Sequence, residues 1–442
     1  MDLLSGNIKK VYLKYLAAAF GSALITSIYG VVDMAMVGQY HGPSGSAAMA
    51  VIAPIWNILY SFGLLTGIGG SVLFSNLRGK GSTDTEDQEY FTTAVLLTIA
   101  FAAVLWISLI AWEEPLLRLF GANDALLSLS KRYLVPVKFA VPVFLFTQLL
   151  AAFLRNDSDP GLATKAVLCG GVINVVGDYL LVFVLDLGIM GAGIATVGSA
   201  ALSLLVMSTH FLKKTNTLRW VWPGHFFVKA AHILTTGFST FFIDIAMGIL
   251  TMLFNRQIMR YAGTDALAVY GIIVNISTFV QCCAYGIGQA SQPILSTNYG
   301  AQKWNRIRRL VRYNMVTVLV VSVVWFGLVV SMPNGFVRLF MTPTESVLTI
   351  APSILRIYAL SFLLLPLNIY STYFFQSVMK PGISFLVSIV RGMVVSGALI
   401  LILPAVFGGA LLWYAMPITE LFVAVFVILY MRKTLLAPVG SN

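Results

Sequence analysis

The chain has 442 residues, of which 58% are hydrophobic and only 10% charged, and its mean hydropathy is +0.88. A soluble domain carries about 25% charged residues, so a water-soluble enzyme or scaffold is excluded and a polytopic membrane protein is implied. The net charge of +11 does not call for a nucleic-acid partner, because Lys and Arg collect in short segments between apolar runs, where they set topology.

Runs of about 20 apolar residues predict twelve membrane-crossing helices. The basic stretch up to Lys14 leads into the first, 11–37, without a clear cleavage site, so it reads as a retained helix rather than a signal peptide. The next five are 47–75, 91–112, 132–154, 163–186 and 189–212. A basic, aromatic stretch from Lys213 to Lys229, with Trp220, Trp222, Pro223 and Phe226, reads as a linker at the cytoplasmic interface. Six more runs follow at 231–257, 266–295, 310–332, 352–376, 383–404 and 409–431. An even count puts both termini on one side. Placing that side in the cytoplasm gives its segments nineteen of the 28 Lys and Arg, the asymmetry that the positive-inside rule requires. Pro54, Pro136, Pro142, Pro366 and Pro417 are expected to kink their helices. Cys169, Cys282 and Cys283 lie in apolar runs without metal-ligand spacing and imply neither a disulfide framework nor a zinc site.

The chain repeats itself once. Leu116-Leu117-Arg118-Leu119-Phe120 returns as Phe336-Val337-Arg338-Leu339-Phe340, Asp159-Pro160-Gly161 as Lys380-Pro381-Gly382, and Gly67-Ile68-Gly69-Gly70 as Gly286-Ile287-Gly288-Gln289. Each half therefore holds six helices in one order. Because six is even, the halves share an orientation and are related by an axis along the membrane normal, as in one class of secondary transporter. The expected division is an amino lobe at 1–215, a cytoplasmic linker at 216–230 and a carboxyl lobe at 231–442.

Asp33 and Asp178 stand inside spans that are otherwise apolar. A carboxylate at mid-helix in lipid costs roughly 2.5–3.5 kcal/mol, so it implies an ion or substrate pathway. Asp33 falls near the outer end of the first span, and Asn174 and Asp178 share one face of the fifth at i and i+4. Thr196 enters the sixth span at a similar depth. Four oxygen-bearing side chains at one level suit a hard cation or a shared proton. The plainer alternative is that Asn174 and Thr196 only join helices and that each Asp is capped by backbone groups. Two carboxylates in one low-dielectric site cannot both ionise cheaply and should titrate as a unit.

The run Tyr29-Gly30-Val31-Val32-Asp33-Met34-Ala35-Met36-Val37-Gly38 resembles the first-helix motif of the multidrug and toxic compound extrusion (MATE) family. Gly188-Ile189-Met190-Gly191-Ala192-Gly193-Ile194-Ala195-Thr196, behind Asn174 and Asp178, is similar to the family's helix 5–6 signature. Gln289-Ala290-Ser291-Gln292-Pro293 with Asn298-Tyr299-Gly300-Ala301 resembles the end of helix 8 in the bacterial MepA-like and DinF-like branch. The resemblance implies an all-α membrane protein of twelve helices in two six-helix bundles around a V-shaped cavity. It also implies a monomeric plasma-membrane antiporter that exports organic, mostly cationic amphipathic compounds against inward H⁺ or Na⁺, without enzymatic activity or a resident cofactor. The family's amino-lobe cation site falls on Asp33, Asn174, Asp178 and Thr196, which would ligate Na⁺ if Na⁺ is the coupling ion. One departure is Ala17-Ala18-Ala19, where many relatives have a helix 1 proline, so a proline kink is not available there; Gly21 and Gly30 could still allow bending.

The carboxyl lobe has its own charges, Asp244, Arg391 and Glu420, and these do not repeat the amino-lobe set. They are expected either to form a bridge from Arg391 to one acid or to take part in coupling. Asn57, Gln148, Asn275, Gln281 and Gln289, with nearby aromatics, are candidates to line a cavity for flat amphipathic cations. The alternative function is a lipid-linked sugar flippase of the same superfamily, which needs a ring of cavity Arg and Lys; only Arg391 is evident. An intramembrane aspartyl protease is excluded because position 175 of the required Gly-x-Gly-Asp is Val. No phosphate-binding Gly-x-x-x-x-Gly-Lys-Ser/Thr loop is present to couple ATP.

Overall fold

The computed structural model describes residues 3–81, 85–341 and 343–436. The last six residues of the expected carboxyl lobe, 437–442, thus lie outside the described residues. Among those described there is no strand, and eleven helices are long and apolar enough to cross a membrane, or twelve if one bent pair is a single span.

The first half contains α1 (Ile8–His41), α2 (Pro43–Lys80), α3 (Glu86–Ala111) and the short α4 (Glu113–Leu119). It continues through α5 (Asp124–Phe139), α6 (Val141–Asn156), α7 (Pro160–Asp178) and α8 (Ile189–Ser208). The second half begins with α9 (Phe226–Tyr261), α10 (Gly263–Gly300), α11 (Trp304–Ser331) and the short α12 (Pro333–Phe340). It ends with α13 (Glu345–Ala359), α14 (Leu365–Ser377), α15 (Pro381–Ile389), α16 (Val395–Phe407) and α17 (Ala415–Leu436). The sequence repeat is visible in the elements: the two copies of the Arg-Leu-Phe run fall at the ends of α4 and α12, with Phe120 capping α4, and α7 and α15 both start on the repeated proline. At that first position a proline gives up an N–H that has no helical partner anyway.

The expected spans are recovered with several corrections. The fourth, 132–154, is not one helix but α5 and α6, which meet at 58° around Ala140. Pro142 falls in the first turn of α6, so it starts a helix rather than bending one. The same holds for Pro366 in α14, which follows a 3₁₀ turn, Leu360–Leu363. Pro417 likewise sits in the first turn of α17. Pro54 and Pro136 lie inside α2 and α5, as expected. The helix after the linker begins at Phe226, so the non-helical segment ends at 225 rather than 230. This segment is pinned along the first half, because Arg219 N donates to Gln88 Oε1 (2.8 Å), Val221 N to Thr92 Oγ1 (3.0 Å) and Gly224 N to Glu89 Oε2 (2.9 Å).

The halves meet where α1 packs on α10 and α2 packs on α9. A two-fold axis that exchanges α1 with α9 and α2 with α10 maps each contact onto the other. The hydrophobic cores are interleaved in the same way. Val11, Tyr12, Tyr15 and Ala19 of α1 belong to a cluster with Ile287, Ile294, Leu310 and Phe374 of the second half. Reciprocally, Ile233 of α9 packs with Phe74, Phe91 and Phe153 of the first. The described termini lie at one end of the bundle, which is here termed the terminal end. There Arg306 donates to the Leu3 carbonyl (3.1 Å) and Arg308 to the Leu435 carbonyl (3.0 Å). At that end α2 and α10 cross backbone to backbone. A Cβ on Gly79 would overlap the Thr297 carbonyl oxygen, and one on Gly300 would overlap that of Asn76.

Candidate functional site

Asp33 on α1 is 6% exposed, and Asn174 and Asp178 on α7 are fully enclosed. Thr196 on α8 connects Asp33 with Asn174: its hydroxyl is 3.5 Å from Asp33 Oδ2 and accepts from Asn174 Nδ2 at 3.4 Å. The Tyr133 hydroxyl on α5 donates to the same Asp33 oxygen at 3.3 Å. The structure therefore joins Asp33, Asn174 and Thr196, sets Asp178 one helical turn beyond Asn174 on α7, and adds a fifth residue, Tyr133. Nothing in a single sequence marked it, since only packing turns that face of α5 toward α1.

Two local features build the pocket. Gly193 lets α8 lie against α5, where a Cβ would come within 2.6 Å of the Tyr133 carbonyl; this sets Tyr133 beside Thr196 and gives the glycine-rich run a steric reason. Asp178 ends α7, and the chain continues as a wider π-helical turn, Tyr179–Val184, a departure that recurs at functional positions in helices.

Asp33 Oδ1, Asn174 Oδ1 and both carboxylate oxygens of Asp178 are buried without a hydrogen-bond partner among the described residues. Buried polar atoms are normally paired, so such a group of orphaned acceptors is chemically specific. It can take up protons or one hard monovalent cation. It has too few acidic or soft ligands for a transition metal, and no cluster of three or more His, Cys, Asp or Glu is present among the described residues.

Asp33 and Thr196 also form part of the wall of a cavity of about 510 Å³, within the usual range of about 300–1,000 Å³ for small-molecule sites. Asn174 and Asp178 are buried outside that wall, and Asn174 is joined to it through Thr196. Trp56, Tyr60, Phe144 and Tyr285 supply aromatic surface to it, with Trp56 set edge-on to Phe144 at a centroid distance of 4.5 Å. Of the polar candidates, Asn57, Gln148 and Gln289 line this cavity. Gln281 does not; it lines a separate space of about 60 Å³ in the second half. Asn275 lines neither, is exposed, and donates to the Gly271 carbonyl at 2.9 Å. Arg155, just beyond the expected fourth span of 132–154, is in the wall of the main cavity.

The second half organises its charges differently. Arg391, in a π-helical turn between α15 and α16, donates to Glu420 Oε1 at 2.8 Å, and Asn368 Nδ2 donates to Glu420 Oε2 at 2.6 Å. The bridge from Arg391 thus goes to Glu420. Asp244 is not part of it: its Oδ2 accepts from Ser61 of α2 at 3.2 Å, across the interface between the halves.

Two interleaved helical halves, a central cavity and an enclosed acid pocket opening on its wall define a polytopic membrane transporter rather than an enzyme. The sequence matches the MatE family over residues 18–180 and again over 239–403, once in each half, and the chain belongs to that family. It is similar to the multidrug export protein MepA of Staphylococcus saprophyticus, with 24% identity over 378 residues covering 84% of this chain and 82% of the relative. The MepA of Staphylococcus haemolyticus is 23% identical over 441 residues, 98% of this chain and 96% of the relative. In fold it is similar to an outward-facing multidrug resistance MATE family transporter of the MOP superfamily, with a TM-score of 0.90 at 18% identity, covering 98% and 97% of the two chains. A MOP superfamily transporter from Pyrococcus furiosus gives 0.89 at 19% identity, with the same coverage.

Proposed function

We propose that this protein is a secondary antiporter that exports amphipathic, mostly cationic organic compounds in exchange for H⁺ or Na⁺. The observation that carries this is the set of orphaned oxygens of Asp33, Asn174 and Asp178, enclosed directly behind the wall of a drug-sized cavity. The MepA relatives, named as multidrug exporters, support the same substrate class.

The mechanism follows from the wall that the two sites share. An ion that crosses the membrane inward by way of the acid pocket gains roughly 2.3 kcal/mol per charge for each 100 mV of potential. It can drive transport only by binding the two conformations unequally. Asp33 and Thr196 touch both spaces, so a cation in the cavity and an ion in the pocket compete for one electrostatic environment. The glycine crossing of α2 on α10 closes the terminal end, and the positive-inside distribution assigns that end to the cytoplasm. The cavity therefore faces outward in this state, and exchange requires the crossing to part. Two lobes, 1–215 and 231–442, rocking about the two-fold seam would part it, with the protein acting as a monomer in the plasma membrane.

A lipid-linked sugar flippase would need several cationic side chains for a pyrophosphate, and Arg155 is the one Lys or Arg among the described residues of the cavity wall. The test is dye efflux from reconstituted liposomes with pH and Na⁺ gradients imposed separately. Efflux driven by one gradient and abolished by its collapse supports antiport and names the ion. Efflux indifferent to both refutes it.

A further inference from the structure

Arg155 is 9% exposed, near the end of α6. Its guanidinium forms no ion pair with, and donates no hydrogen bond to, any described residue, although its backbone carbonyl accepts from the Tyr15 hydroxyl at 3.1 Å. Other arginines within the helical bundle are engaged: Arg391 by Glu420 at 2.8 Å and the partly exposed Arg78 by Asp157 at 2.8 Å. An enclosed guanidinium without a counter-charge is costly unless something of opposite charge is brought to it. Arg155 lines the 510 Å³ cavity, and its nitrogens are not among the buried atoms sealed without a partner, so they face the cavity space. The electrostatic neighbours of the guanidinium are the Tyr60 and Tyr373 phenols rather than a carboxylate. Among the described wall residues, Asp33 is the single acid and Arg155 the single Lys or Arg. The wall is thus bipolar, and its basic pole has no partner among the described residues.

We propose that Arg155 receives an acidic group, a carboxylate or a phosphate, on the exported molecule, so that the cavity is built for amphipathic zwitterions as well as for simple cations. A planar guanidinium matches both acids with paired hydrogen bonds. The inference rests on the cavity being the substrate site; it extends the substrate class from simple organic cations to compounds that pair a cationic aromatic body with an acid. The acid could belong to a soluble compound or to a lipid headgroup. The cavity volume and its aromatic wall favour a soluble compound of drug size.

The test uses two dyes that differ at one group, rhodamine 110, with a free carboxylic acid, and rhodamine 123, its methyl ester. Binding of each to purified full-length protein is measured by fluorescence polarisation for the wild type, Arg155→Gln and Arg155→Lys. Arg155→Gln is expected to weaken rhodamine 110 by about tenfold or more, the scale of a lost charge-assisted hydrogen bond, and to leave rhodamine 123 unchanged or tighter. Arg155→Lys should restore part of the loss. Equal weakening of both dyes, or of neither, overturns the proposal. If the wild type binds neither dye, the cavity is not the export site and both this inference and the function fail. If it binds rhodamine 123 alone, only this inference fails.

A variant-free arm covers poor folding of Arg155→Gln. In the wild type, rhodamine 110 should protect Arg155 from phenylglyoxal, read by peptide mass mapping, and rhodamine 123 should not. Protection by dioctanoyl phosphatidic acid but not by rhodamine 110 would assign the site to a lipid headgroup and overturn the proposal for soluble zwitterions.

Discussion

In the first half, Asp33, Asn174 and Asp178 leave four buried oxygens without donors, whereas in the second half each carboxylate oxygen of Glu420 is taken, one by Arg391 and one by Asn368. Both arrangements stand beside π-helical turns, Tyr179–Val184 and Val390–Val394, and both sit deep among apolar helices. The difference lies in satisfaction. A paired and hydrogen-bonded acid is fixed in its charge and serves to hold helices in register. An acid left without donors keeps the capacity to bind a mobile cation. The repeat has therefore preserved architecture while the chemistry of the halves has diverged.

Neutralising the first-half acids is the most direct way to break this comparison. Asp33→Asn and Asp178→Asn are expected to reduce rhodamine 123 extrusion from energised cells to the level of cells without the transporter. Their membrane abundance should stay normal and their unfolding temperature should not fall, because neither carboxylate has a counter-charge: Asp178 has no hydrogen-bond donor among the described residues, and at position 33 the Asn amide oxygen can still accept from Tyr133. Extrusion at the wild-type rate would make these residues structural.

The same operation in the second half should do the reverse. Arg391→Met leaves Glu420 buried and uncompensated and is expected to cost about 3–5 kcal/mol of stability, whereas Arg391→Met with Glu420→Met should recover most of it. Thermal unfolding in detergent measures both. A single variant as stable as the wild type would remove the clamp from the comparison.

How far these sites were legible in the sequence differs between them. Asp33, Asn174, Asp178 and Thr196 stood out because polar residues in apolar spans are conspicuous and helical spacing fixes which of them share a face. Tyr133 and Arg155 did not stand out. A tyrosine near the end of a span is ordinary at a membrane interface, and an arginine just past an apolar run looks like a topology signal. Only the bend at Ala140, which re-aims α6, and the packing of α5 on α8 bring the two side chains to the pocket and the cavity. Periodicity located the helices but not their lengths. Thus α1, α2, α9 and α10 run for 34 to 38 residues, roughly 50–57 Å at 1.5 Å per residue, because their polar ends continue as helix beyond the apolar stretch. Asn275 shows the remaining limit, since an amide in a span can turn back to its own helix and face away from the cavity.

A smaller effect is expected from Tyr133→Phe, which deletes the hydroxyl that donates to Asp33. It should cost about 1 kcal/mol and displace the pH midpoint of efflux. An unchanged pH profile would separate Tyr133 from the ion site.

The smallest effect concerns the loop between α6 and α7. Burial alone would raise the Asp157 carboxyl, but hydrogen bonds from His210, Thr217 and Arg78 outweigh it and hold Asp157 below the usual carboxylate range. Asp159 is lowered in the same way, against its own burial, by Lys213 and His210. Folded protein thus binds these protons less readily than the unfolded chain. The stability they add is complete above the unfolded value of about 4 and is lost as pH falls through the lower folded values. The thermal midpoint should therefore fall in acid, and less steeply in Asp157→Asn than in the wild type; parallel curves would show that the loop contributes nothing.

The division of labour between the halves is tested most directly by ion-driven dye accumulation in liposomes of defined lumen, comparing the wild type with Asp33→Asn, Asp178→Asn and the Arg391→Met, Glu420→Met double variant. The expected result is that the wild type and the double variant accumulate rhodamine 123 on one imposed gradient, while the two Asp variants bind the dye but do not concentrate it. Concentrative uptake by both Asp variants, or its loss in a stably folded double variant, would contradict the assignment of coupling to the first half.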